Sequence, residues 1–175
     1  DALTNNGGIF AESGMLTLWL ATLDLDGTSD TSPIEAVLGD LLVNHPPLSF
    51  AGQATVGTGH TLTFLKGFFA QGTLLLQGPT QGTTRATLAG GLARFDAGHV
   101  TRVSGQAEIT APSEFQLGSQ VEAPLTTDIL FLTGDAKIFA GSGFVGQGQL
   151  VNQAAATLTA DDSAGRKKIV LIAGQ

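Results

Sequence analysis

The chain of 175 residues carries a formal net charge of −7 and no cysteine, which excludes disulfides and thiolate metal sites. Its length suits a single β-rich domain spanning residues 1–175, able to bury roughly 68–70% of its unfolded surface. Charged residues make up 13% of it, against about 25% in an average globular domain, so the surface must be built largely from Thr, Gln, Ser and Gly.

Charge is unevenly placed. Residues 1–65 hold seven acids and no Lys or Arg, whereas the remainder holds eight acids and eight bases. A chain this acidic, with its bases scattered singly until Arg166, Lys167 and Lys168, is poorly suited to a phosphate backbone, and nucleic acid is set aside as a partner. No apolar run reaches the ~20 residues of a membrane span. The longest, from Met15 to Leu25, is interrupted by Thr17, Thr22 and Asp24, so no transmembrane segment is expected. A start at Asp1 rather than Met fits either a cleaved signal peptide or a trimmed chain, and the expected location is extracellular or at the cell surface.

Residues 14–26, GMLTLWLATLDLD, alternate with period two and predict a strand with Leu16, Leu18 and Leu20 on one face. The period then changes. Ile34, Val37, Leu38, Leu41 and Leu42 fall at helical spacing, Ser32, Pro33 and Glu35 form a capping-box pattern, and Pro46-Pro47 closes the segment. One short α-helix near residues 33–44 is predicted. From Leu48 onward, short runs rich in Thr, Val, Leu and Phe are separated by Gly, Pro or Asp clusters, and they predict many strands. For residues 147–160 the Gly and Thr content favours strand over helix. The expected fold is therefore all-β, an antiparallel β-barrel or β-sandwich with that one helix.

The stretch LDLDGTSDTSPIE, residues 23–35, offers a candidate metal loop. With Asp24 first, Asp26, Thr28, Asp30, Ser32 and Glu35 take the oxygen-donor positions of an EF-hand-type calcium loop. Gly27 and Ser29 depart from that pattern, because the sharp turn wants glycine where Ser29 stands, and a strand rather than a helix leads in. Ser32 and Glu35 are also explained by the capping box, so a plain strand-to-helix turn is the favoured reading and Ca2+ the alternative. GSGFVG at residues 141–146 satisfies G-x-G-x-x-G, but the next strand ends without the acidic residue a dinucleotide site needs, so no cofactor is assigned there. His45, His60 and His99 lie far apart, with no metal-binding pair at helical spacing. No catalytic residue is assigned.

Residues 71–110, with Gly72-Thr73-Leu74, Gly78, Leu88 to Gly91, Phe95 and Gly105, resemble the middle of the allene oxide cyclase and dirigent barrels. Gly90-Gly91-Leu92-Ala93 departs from that family's usual Gly-Gly-Thr-Gly, and no active-site residue of the family can be matched. The resemblance implies an eight-stranded antiparallel barrel with an apolar cavity, one that binds or cyclises an apolar small molecule. The residues themselves favour a different function. A sparsely charged Thr/Gln/Gly surface suits a secreted structural protein that self-assembles into homo-oligomers or a polymer with identical subunits, reinforced by calcium if the loop binds it.

Overall fold

A computed structural model describes residues 2–4, 8–20, 22–24, 33–45, 48–139, 141–153 and 158–161. In it the chain winds as a coil whose strands stack on their counterparts one turn later. Among the described residues every strand pair is parallel. Leu48 pairs with Phe68, 20 residues on, and Phe68 with Ala93, 25 residues on. Three sheets result. Face 1 has seven strands: Ile9–Phe10, Ile34–Ala36, Gln53–Val56, Thr73–Gln77, Val100–Ser104, Gln120–Ala123 and Gly143–Gly146. Face 2 has seven, from Met15–Trp19 to Gln149–Asn152, and face 3 has six, from Leu48–Phe50 to Leu158–Asp161. A further parallel pair joins Ala2–Thr4 to Thr22–Asp24. This is a parallel β-solenoid of about six turns.

Period-two alternation turns each strand into one inward and one outward set of side chains, and parallel register stacks like on like. On face 2 the inward column runs Leu41, Leu62, Leu88, Ile109, Leu132, all at most 1% exposed. On face 3, Phe50, Ala70, Phe95, Phe115 and Ile138 form another inward column, with the Phe95 and Phe115 rings stacked at 4.7 Å. Among the described residues such columns fill the interior.

Corners between faces need sharp turns. After Phe95, His99 N donates to Asp96 O with Gly98 at φ +85°, and after Phe115, Ser119 N donates to Gln116 O with Gly118 at φ +82°. Both glycines occupy the left-handed region that Cβ-bearing residues avoid. Another corner is closed by a side chain: buried Asp128 accepts from Gly105 N through Oδ1 (2.8 Å) and from Leu125 N through Oδ2 (2.7 Å).

This architecture corrects three expectations. The sheets are parallel and stacked, so neither the antiparallel barrel nor the sandwich forms, and residues 71–110 lay down successive coils rather than the barrel implied by the allene oxide cyclase and dirigent resemblance. The α-helix near residues 33–44 is absent: Ile34–Ala36 and Asp40–Asn44 are strands on two faces, joined by a corner at residues 37–39. Within them Ile34, Ala36, Leu41 and Val43 point inward, while Leu38 stands 67% exposed on the corner. The corner shifts the phase of two period-two runs, and the sum imitates a period of 3.6. Strand was correctly expected within 147–160, at Gln149–Asn152 and Leu158–Asp161, though the pairing there is parallel.

Candidate binding face

Face 1 carries two open grooves. Parallel register stacks Leu75, Arg102, Glu122 and Val145 into one outward column across four consecutive strands. Arg102 Nε donates to Glu122 Oε2 at 2.7 Å, with the arginine side chain 60% and the glutamate 32% exposed. Half-buried Leu75 and exposed Val145 flank the pair at either end of the column. With Gln77, Ser104 and Pro124 to one side, these residues line an open groove of about 370 Å3. A second groove of about 390 Å3 lies on the same face toward earlier coils, between Pro33, Glu35, Gln53 and Thr73.

The other faces hold charges that serve the coil stack. On face 2 the Arg85 guanidinium lies 3.6 Å from the centre of the Phe131 ring, and its Nη1 is 3.1 Å from Glu108 Oε2. Glu108 Oε1 in turn accepts from Thr133 Oγ1 at 2.9 Å, so this cluster fastens the excursion at residues 78–85 to the next two coils. On face 3, Arg94 pairs with Asp96 at 2.7 Å and Lys137 with Glu114 at 3.4 Å.

A buried histidine lies against the aromatic core. His99 is 1% exposed, its ring stacks on Phe95 with centroids 4.8 Å apart, and Nε2 shares a 2.9 Å hydrogen bond with Thr101 Oγ1. Nδ1 is buried without a hydrogen-bond partner. Burial pushes the His99 pKa from 6.5 down to about 4, with the neighbouring Gly72 backbone opposing the shift.

Of the candidate metal residues read from the sequence, Asp24 and Glu35 lie among the described residues. Asp24 ends the strand Thr22–Asp24, and Asp26, Thr28, Asp30 and Ser32 lie outside the described residues. Glu35 sits mid-strand on face 1, in register with Phe10 and Thr55, not at the first turn of a helix. Among the described residues no group of three or more His, Asp or Glu gathers at metal-binding distance. Gly141, at φ +85°, makes a corner, and Gly143 and Gly146 lie in a strand, so GSGFVG forms no strand-to-helix phosphate loop. His60 meets Asp40 at 3.5 Å, away from buried His99.

Sequence reasoning missed the Leu75, Arg102, Glu122, Val145 column, whose members are 27, 20 and 23 residues apart. A repeated corner signal could have found it: Phe95-Asp-Ala-Gly98 and Phe115-Gln-Leu-Gly118 both precede face 1 strands, and Ile138-Phe-Ala-Gly141 is the same corner with isoleucine in the phenylalanine place. Comparison with protein-family models, curated proteins and solved structures finds no match. The fold and its outer face therefore define the class: a β-solenoid whose elaborated surface is a sheet face.

Proposed function

We propose that the chain is a rod-like structural segment of an extracellular or cell-surface protein, working through repeated contacts with identical copies. The observation that supports this best is the stacking itself. Inward columns and backbone ladders run unbroken from coil to coil, giving a stiff support on which outward side chains recur at ~4.8 Å intervals. Such periodic surfaces suit association with another periodic surface, and a second copy is the periodic partner always present. The sparse charge of the chain lowers the repulsion opposing that association.

Small-angle scattering combined with sedimentation over a concentration series tests the reading. An elongated particle whose mass rises with concentration is expected. A protein that stays monomeric to millimolar concentration overturns assembly as its function.

A further inference from the structure

Resting on that assembly reading, we infer that face 1 is a self-complementary interface through which two copies pack face to face with their coil axes antiparallel. The order of the outward column carries the inference: apolar Leu75, cationic Arg102, anionic Glu122, apolar Val145.

A two-fold axis parallel to the strands, between Val100–Ser104 and Gln120–Ala123, reverses this column onto itself. Leu75 then faces the second copy's Val145, and Arg102 faces its Glu122. Each contact occurs twice, as an isologous interface requires. The four central charges form a square in which every charge adjoins two of opposite sign, one from its own copy and one from the other.

Neighbouring columns obey the same operation without placing like charges together. Thr73, Val100, Gln120 and Gly143 reverse onto one another, and Ser104 meets Pro124. The exposure of Arg102 lets its long side chain reach out of the groove and across. On face 3 the equivalent axis, between Arg94 and Glu114, also pairs those two charges but sets Phe69 against Lys137, so the apolar residues that close both ends of the face 1 column are missing there.

Four strands at ~4.8 Å spacing put about 14 Å between the ends of the column. That footprint falls well short of the roughly 800 Å2 per partner of a standard stable interface, so the association is weak and concentration-dependent.

The test uses Arg102→Glu and Glu122→Arg, made separately in the full chain and checked for native circular dichroism. Each alone sets like charges across the axis, and self-association measured by sedimentation equilibrium is expected to fall by roughly tenfold or more. Mixed in equal amounts, a Glu-Glu column faces an Arg-Arg column, and heterodimers are expected to form with affinity within about threefold of the wild type. If the wild type associates and both single variants associate equally well, face 1 is not the interface while assembly stands. If the single variants are monomeric and their mixture is too, the proposed antiparallel register is wrong. A monomeric wild type sinks this inference together with the assembly reading.

Discussion

Acid should destabilise this protein through His99, and the size of the effect follows from where the ring sits. Its folded pKa of about 4 lies below the 6.5 of an exposed histidine because the imidazolium would have to be buried among Phe95 and its neighbours. Above pH 6.5 both folded and unfolded chains hold the neutral ring, and the contribution is fully present. Between pH 6.5 and 4 the unfolded chain takes up a proton that the folded chain refuses, so stability falls by about 1.4 kcal/mol per pH unit. Near pH 4 the folded ring protonates too and the loss levels off, after a total of about 3 kcal/mol. Urea denaturation of the wild type and His99→Phe at pH 7.5, 5.5 and 4 isolates this contribution. Phenylalanine fits beside the stacked aromatic rings and does not titrate. The variant carries a constant offset for the lost Thr101 bond, and carboxylate contributions cancel in the comparison. The stability difference between the two proteins should change by about 3 kcal/mol across the series. A difference that stays constant with pH would show that the buried ring does not resist protonation.

Further predictions follow from particular contacts. Leu62→Ala, in the middle of the face 2 core column, should cost about 2–5 kcal/mol in chemical denaturation, and a loss below about 1 kcal/mol would contradict a tightly filled interior. Asp128→Ala strips the acceptors from Gly105 N and Leu125 N and should cost about 2–4 kcal/mol, measured the same way. Gly98→Ala meets no atom within 4 Å but must hold a left-handed φ, so a loss of about 1 kcal/mol is expected; Gly143→Ala, in open space on a strand, should be neutral or slightly stabilising. The plain-turn reading of residues 23–35 predicts a melting temperature unchanged by excess calcium or chelator. A calcium-dependent rise would instead favour the acidic stretch as a metal site.

The sequence made the strands visible but not how they pair. Thr61–Phe64 or Ile129–Leu132 alternates identically whether its neighbour runs parallel or antiparallel, and a glycine corner between two faces has the same composition as a hairpin turn. Only the coil period separates the two. Here that period is blurred, since Gln53 pairs with Thr73 at 20 residues but Thr73 pairs with Val100 at 27, the extra length lying in the excursion at residues 78–85. The corner at residues 37–39 similarly disguised two strands as an amphipathic helix. The Leu75–Val145 column was illegible for the same reason: Arg102 and Glu122 are unremarkable singly and become a pair only when register is known. His99 lies next to a corner that looks exposed in sequence, yet the chain has already turned inward there.

Every claim about face 1 depends on Leu75, Arg102, Glu122 and Val145 sharing one column, and distances along that face test it directly. With no native cysteine, spin labels attach only where introduced. Pairs linking Glu35 to Leu75, to Glu122 and to Val145 span two, four and five strand steps, predicting about 10, 19 and 24 Å. Electron spin resonance distances rising in that order and proportion would establish the parallel stack. Distances that fail to grow with the number of coils would contradict the fold and, with it, the interface built on it.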